Sequence, residues 1–413
     1  MTYLDLRKAF HDTAQDADQL YDRRFNDERT WHLKTSIAGS PAFVYMAPEI
    51  YEALLEAAQI DKDILRLEAA LPQRALDSYR DSCLIDEIVL TNEIEGVHST
   101  RREIGEVLER LKQNDRRGRF FGIVQKYALL QTRPDIALRT CADVRDVYDD
   151  LVLAEVRISD PHNVPDGTYF RTKMVHVINE AGIPIHDGIE PEARIIEEMD
   201  QALDVLNDES REPLLRIALF HFLFGYIHPF YDGNGRTNRF ISSYLISRQY
   251  EPIVGLGISH AVKQEIEKYY KAFSRCEHPL NRGDITPFVI AFSEICVNAM
   301  CNLRDALTEK KSQMDMYLHR SAVLVPEPLR TLVESLITAT LFTFDGVTAK
   351  ELCEAERLSR QTLYKRLSEL RKLGLLQEEK IGRKVFYKLN EEAFLLLSLI
   401  HISEPTRHLR ISY

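Results

Sequence analysis

The sequence predicts a mainly α-helical core that carries one short β-hairpin, followed by a small C-terminal α+β unit. Three observations predict this. Apolar residues recur with a 3.6-residue spacing through most of residues 81–306. One segment, Tyr169–Val177, alternates instead; Asn179–Gly182 then turns the chain and Ile183–Ile185 pairs back, a hairpin signature. After Pro326-Glu327-Pro328 the pattern becomes helix, helix, strand, strand. A composition of 45% hydrophobic and 28% charged residues suits a folded chain with ample core.

The elements follow in order. Residues 1–80 form an N-terminal region with polar stretches, Pro41 and Pro48, then helical patterns at Pro48–Ala58 and Ile64–Leu71. In the core, residues 81–306, helical spacing recurs at Asp81–Val97, Ile104–Gln113, Phe121–Leu130, Ala142–Val152, Pro191–Leu206 and Pro213–Tyr226. Ala261–Arg275 and Thr286–Ala306 continue it, and residues 307–327 are expected to be a linker helix. In the last unit, residues 328–394, Thr348–Ala355 and Ser359–Leu373 are helices, and Leu376–Glu379 and Val385–Leu389 are strands turned by Gly382. Ser359 suits an N-cap, Leu363, Leu367 and Leu370 face inward, and Gly374 stops the helix. Residues 397–413 resemble the translated read-through of a sequencing-library adapter and are expected not to be native.

Charge and cysteines narrow the function. A formal net charge of −11 argues against coating nucleic acid over the whole surface. Residues 345–390 hold 11 Lys and Arg against 7 Asp and Glu, so this stretch is +4 and the rest −15. Cys83, Cys141, Cys276, Cys296, Cys301 and Cys353 show no metal or redox spacing and suit a reducing compartment, so a cytoplasmic protein is expected. The apolar run Leu214–Tyr226 contains Arg216 and His221, so it is expected to be a core helix, and no membrane partner is expected.

The densest chemistry lies in His228-Pro229-Phe230-Tyr231-Asp232-Gly233-Asn234-Gly235-Arg236-Thr237-Asn238-Arg239. It sits between two helical patterns, so its end opens a helix whose free N–H groups suit an anion. Gly233 and Gly235 let backbone approach a phosphate without a Cβ. Arg236 and Arg239 share a helical face and can fork onto phosphate oxygens. Asp232 suits a hard cation such as Mg²⁺, and His228 a general base.

This stretch resembles the Fic family signature His-x-Phe-x-(Asp/Glu)-Gly-Asn-Gly-Arg-x-x-Arg and meets every fixed position. The resemblance implies an all-α Fic core with a small β-hairpin flap. It also implies transfer of AMP from ATP to a hydroxyl of a target protein, or of the protein itself. By that resemblance His228 deprotonates the target Ser, Thr or Tyr hydroxyl and Asp232 holds Mg²⁺ on the α- and β-phosphates. Gly233, Asn234 and Gly235 cradle the β-phosphate, Arg236 and Arg239 clamp β and γ, and Phe230 anchors the core. Relatives that transfer phosphate carry lysine in place of Gly235, so glycine favours AMP transfer. Lys173, Met174, Val175, His176 and Val177 would be the flap edge that pairs with the target backbone. His176 and His186 are expected on the flap surface, outside the chemistry.

Thr91-Asn92-Glu93-Ile94-Glu95-Gly96 ends the 81–97 helix and resembles the family's inhibitory motif, (Ser/Thr)-x-x-x-Glu-(Gly/Asn). There Glu95 would pair with Arg239 and occupy the fork meant for the γ-phosphate. The same glutamate could instead position water to remove AMP from a target, and the sequence leaves both open. The C-terminal unit resembles a winged helix-turn-helix with Ser359–Leu373 as recognition helix. Arg360, Gln361, Tyr364 and Lys365 would then face a DNA groove, with protein docking as the alternative use. A DNA-binding regulator whose Fic core only senses nucleotide is a further reading. Target and oligomeric state stay open, a homodimer included.

Overall fold

The computed structural model describes residues 3–12, 14, 16–115, 117–132, 135–178, 184–382 and 384–402. The chain is mostly helical and divides into two compact units, residues 1–64 with 83–303 and residues 65–82 with 304–413. The expected boundaries at residues 80/81 and 306/307 therefore shift, and residues 65–82 group with the C-terminal unit.

In chain order, α1 is Leu6–His11 and α2 Ala17–Phe25; β1, Thr30–Ile37, and β2, Ser40–Tyr45, form an antiparallel hairpin. Sequence reasoning missed this hairpin. Its signal was the pair Ala38-Gly39, both at positive φ as a tight turn requires. Next come α3, Pro48–Ala69, one helix where two were expected, α4, Gln73–Ile94, and α5, Arg101–Lys112. Helix α6, Phe121–Leu129, precedes α7, Cys141–Tyr148, a π-helical turn Asp149–Leu153, and α8, Ala154–Ser159.

The flap is shorter than expected. Its strands are β3, His176–Ile178, and β4, Pro184–Asp187; its turn, residues 179–183, lies outside the described residues. The expected strand began at Tyr169, but Phe170 and Arg171 are fully buried, so that alternation reflects anchoring rather than pairing. Then follow α9, Glu192–Leu206, α10, Pro213–Ile227, and α11, Asn234–Gln249. The segment expected as one helix at 261–275 is two, α12, Ile258–Gln264, and α13, Ile266–Cys276, broken at Glu265.

Helix α14, Thr286–Leu324, is a single 39-residue rod, so the expected separate linker helix at 307–327 is its continuation up to Pro326. It is long and apolar enough to cross a membrane by length and composition, and 72% of its most apolar window is buried within the protein. The C-terminal unit adds α15, Glu327–Phe342, β5, Val347–Thr348, α16, Ala349–Glu356, and α17, Arg360–Lys372. β6, Leu376–Ile381, and β7, Lys384–Leu389, complete an antiparallel sheet of order β5-β7-β6. Ser359 caps α17 through the Thr362 N–H, and Leu363, Leu367 and Leu370 are buried. Helix α18, Glu391–Ile402, enters the adapter-like stretch, whose side chains from 397 and whole residues from 403 lie outside the described residues.

Candidate active site

Helix α10 is apolar on every face and buried along almost its whole length, which fixes where its end points. That end is His228, in the left-handed conformation at φ 51°, with its N–H on the Phe224 carbonyl at 3.0 Å. Such backbone is uncommon for a residue other than glycine and persists where neighbours over-determine it. Here the neighbour is Arg171. Its Nε donates to the His228 carbonyl at 2.9 Å, and its terminal nitrogens donate to the carbonyls of Lys173 (2.6 Å) and Ile189 (2.8 Å). One fully buried guanidinium thus ties the flap base to the base-bearing turn.

Burial, with His186 and the Arg171 guanidinium close by, holds the His228 imidazole down at about 3, so it is neutral at physiological pH. Its ring is hydrogen-bonded to the Gly225 carbonyl. The N–H of a neutral imidazole is committed there, which leaves the other ring nitrogen as a proton acceptor.

The loop after His228 closes on itself. The Asn234 side chain accepts from the Phe230 N–H at 2.9 Å and donates to the Phe230 carbonyl at 2.7 Å. The Asn234 amide therefore builds the loop, and what it can offer a phosphate is its main-chain N–H. Phe230 is fully buried and stacks on Tyr148 at 3.8 Å between centroids, as the expected core anchor would. Gly233 is the N-cap of α11 at φ 81°, and a Cβ there would strike Val152 at 2.8 Å. The Asp232 carboxylate accepts the Gly233 N–H and remains 37% exposed.

Both motif arginines are buried in ion pairs. Arg236 reaches Glu155 at 3.1 Å and Asp232 at 3.5 Å. Arg239 donates from Nε to the Thr91 hydroxyl at 2.8 Å, and from NH2 to the Thr91 carbonyl at 3.0 Å and to Glu95 Oε1 at 2.8 Å. Glu95 follows the last residue of α4, and Gly96, at φ 69°, turns the chain away. The Glu95 carboxylate lies so close over Gly235 that a Cβ there would collide with it. Helix α4 is held by Glu87, a fully buried carboxylate that accepts from the Ser259 N–H and hydroxyl and the Ser243 hydroxyl. Burial pushes Glu87 up to about 7 against those donors. Glu155 is likewise pushed up to about 7 by burial, opposed by Arg236.

Sequence reasoning missed Glu87, Glu155 and Arg171. Each is an ordinary charged residue in a helical or alternating pattern, and only the fold shows that it is buried. Thr91 lay within the quoted Thr91–Gly96 stretch, but the two hydrogen bonds it accepts from Arg239 carried no separate signal.

Along the flap, the Lys173 N–H donates to the Tyr231 hydroxyl at 3.0 Å, and the Val175 carbonyl accepts the Gly188 N–H at 3.0 Å. Met174 is 38% exposed. His176 is exposed, with Nδ1 2.6 Å from Asp187 Oδ1, and Val177 pairs with His186 across the strands. His186 was expected on the flap surface, but it turns inward: Nε2 lies 2.7 Å from the Tyr226 carbonyl and Nδ1 3.5 Å from Glu277. The end of α10 offers it a carbonyl that has no partner within the helix. In the C-terminal unit, Arg360, Gln361, Tyr364 and Lys365 are all exposed along α17. Among the described residues no group of three or more His, Cys, Asp or Glu could cage a metal.

Residues 141–246 match the sequence model of the Fic/DOC family. Over 171 residues the chain is 31% identical to a protein named protein adenylyltransferase Fic of Drosophila ananassae, covering 41% of this chain and 29% of that one. Over 98 residues it is 35% identical to protein adenylyltransferase fic-1 of Caenorhabditis elegans, 23% of this chain and 18% of that one. The chain thus spans less than a third of the length of the curated relatives it matches. A crystal structure of a Fic family protein from Desulfovibrio desulfuricans overlays with a TM-score of 0.47 at 21% identity, covering 84% of this chain and 97% of that one. Residues 141–246, which hold the His228–Arg239 loop and helix, are a Fic-family domain with homology to protein adenylyltransferases.

Proposed function

We propose that this protein is an autoinhibited protein adenylyltransferase, acting on a hydroxyl of a target protein or of itself. The observation that carries the reading is the Glu95–Arg239 pair at 2.8 Å, seated directly over Gly235 at the start of α11. A carboxylate at that place denies an incoming phosphate both a guanidinium fork and the open helix end.

The residues fit the proposed substrate and ion. The start of α11 offers backbone N–H groups, a position without a Cβ and two arginines, as a polyphosphate needs. Asp232 is one half-exposed carboxylate without a protein cage around it, which suits Mg²⁺, an ion that completes its shell with phosphate oxygens and water. When bound, that ion would neutralise phosphate charge. The protein residues would do the rest. The free ring nitrogen of His228 takes the proton of the target hydroxyl as its oxygen bonds to the α-phosphorus; the bond to the β-phosphate breaks and pyrophosphate leaves. Arg236 and Arg239 hold the leaving phosphates, and a target segment pairs by its backbone with the β3–β4 flap. A cytoplasmic setting belongs to this proposal, supported by six cysteines that show no metal or redox spacing.

The test is labelled AMP transfer from ATP and Mg²⁺ to proteins of a cell extract and to the chain itself. Labelling by wild type that rises on Glu95→Gly supports the reading. Loss of AMP from a pre-labelled target would support removal as the main activity. A protein that binds ATP and labels nothing would be a nucleotide sensor.

A second proposal concerns the C-terminal unit. Two helices followed by a strand pair, with Arg360, Gln361, Tyr364 and Lys365 exposed on the second helix, suit a winged helix that binds duplex DNA. The full chain is expected to bind duplex DNA weakly, with affinity falling as salt rises. Fluorescence anisotropy that shows no binding at low salt, or no loss in the Arg360→Ala/Lys365→Ala variant, favours protein docking.

A further inference from the structure

Arg236 has two carboxylates within reach and uses them unequally. Its contact with Glu155 is 3.1 Å, with the glutamate side chain only 13% exposed; its contact with Asp232 is 3.5 Å, with the aspartate 37% exposed. Glu155 is further held by the Phe120 N–H. Phe120 stands in the left-handed conformation before α6, where no side chain caps the helix, so Glu155 serves that helix end as well. Its place is fixed by the same stretch that supports the loop, since Tyr148 stacks on Phe230 and Val152 packs on Gly233. Asp232, by contrast, is bound to its own loop through the Gly233 N–H and faces solvent.

We propose that Glu155 is a positioning residue of the phosphate site: by holding Arg236 it keeps the Asp232 carboxylate free to take a divalent cation carried by a nucleotide diphosphate group. The inference rests on the phosphate-site reading given above. A buried guanidinium must be paired. With Glu155 neutralised, Asp232 becomes the nearest counter-charge left to Arg236, four residues away and already within 3.5 Å. A carboxylate engaged by a charge-assisted arginine bond has fewer lone pairs and less charge to offer a cation. Glu155 lies outside the twelve-residue motif, so nothing in that pattern points to it.

The probe is a fluorescent methylanthraniloyl ADP, which lacks the γ-phosphate that Glu95 would exclude, titrated with Mg²⁺ on the full-length chain. Glu155→Gln keeps an oxygen for the Phe120 N–H and removes only the charge. It is expected to raise the Mg²⁺ midpoint for ADP binding about 10-fold, the usual scale for losing a residue that orients a metal ligand, without weakening metal-free ADP binding. Glu155→Asp keeps the charge and should give a midpoint above wild type and below Glu155→Gln. Should Glu155→Gln not fold, as judged by circular dichroism, Glu155→Asp decides: an unchanged midpoint overturns the proposal. An unchanged midpoint in Glu155→Gln, or equal losses with and without Mg²⁺, also overturns it, because capping α6 would then be the whole role. Asp232→Ala separates the two levels. If that variant loses the Mg²⁺ dependence and Glu155→Gln keeps it, only the role of Glu155 fails. If wild type shows no Mg²⁺ dependence, the phosphate-site reading fails and takes this inference with it.

Discussion

Arg236 and Arg239 lie three residues apart on α11, and each meets a carboxylate from another helical stretch, yet the two pairs are built differently. Arg239 has a second partner: both Thr91 bonds remain if Glu95 withdraws. Glu95 itself stands one residue beyond the end of α4 and is 24% exposed. The second partner of Arg236 is Asp232 at 3.5 Å, a carboxylate of the loop itself. The Arg236 Nε is buried without a hydrogen-bond partner, and its near contact is Glu155, inside the structured run that continues α7. If Glu95 withdraws, Arg239 keeps its two hydrogen bonds to Thr91; if Glu155 is lost, Arg236 turns to Asp232 and draws that carboxylate away from the loop. The difference suits a switch at the first pair and a fixture at the second.

The largest expected effect tests what both pairs serve. His228→Ala should lower AMP transfer by about 10²–10⁴-fold, the range for loss of a general base, and should do so equally in wild type and in Glu95→Gly. Radiolabel incorporation checks this. A transfer rate in Glu95→Gly that survives the loss of His228 would remove the base from the account.

Next comes stability, where the pairs should part company. Glu155→Ala leaves Arg236 short of a buried partner and is expected to cost about 3 kcal/mol. Glu95→Ala removes the more exposed of the two carboxylates, at 24% against 13%, while Thr91 keeps its two bonds to Arg239, and should cost less than Glu155→Ala. Urea denaturation of the two variants measures both, and equal losses would erase the distinction.

A smaller, pH-dependent effect probes the anchor of α4. Glu87 is held near 7 in the fold against an ordinary value of 4.5. A group raised in this way contributes stability that is full below its unfolded value and is lost as pH rises through the folded one. Glu87→Gln cannot ionise, so its melting temperature relative to wild type should rise between pH 5 and pH 8. A constant difference across that window would show that Glu87 does not titrate there.

How much of this was legible depended on whether a role lies in residue type or in burial. The His228–Arg239 loop could be read because its glycines, amide and arginines are unusual together, and the fold places them on one helix start. Glu95 could be read because it stands four residues past Thr91 and directly before Gly96, the spacing of the motif it resembles. Ser359, Gly374 and Gly382 likewise bounded α17 and the β6–β7 turn by local chemistry. The flap was misjudged at its start because Phe170 and Arg171 alternate like a strand while serving as buried anchors. The β1–β2 hairpin was missed because its apolar face is confined largely to β2. Glu87, Glu155 and Arg171 were invisible for a different reason. A charged residue in sequence carries no mark of the long-range contact that buries it.

Whether Glu95 restrains Arg239 is read from incorporation of label from α-labelled ATP into the chain and its targets. Glu95→Gly should label more strongly than wild type, Glu95→Gln should fall between them, and Arg239→Ala should gain nothing. The Glu95→Gly/Arg239→Ala variant should behave like Arg239→Ala alone, the non-additivity of coupled residues. Equal labelling by wild type and Glu95→Gly would contradict autoinhibition, and weaker labelling by Glu95→Gly would make Glu95 a participant in the reaction.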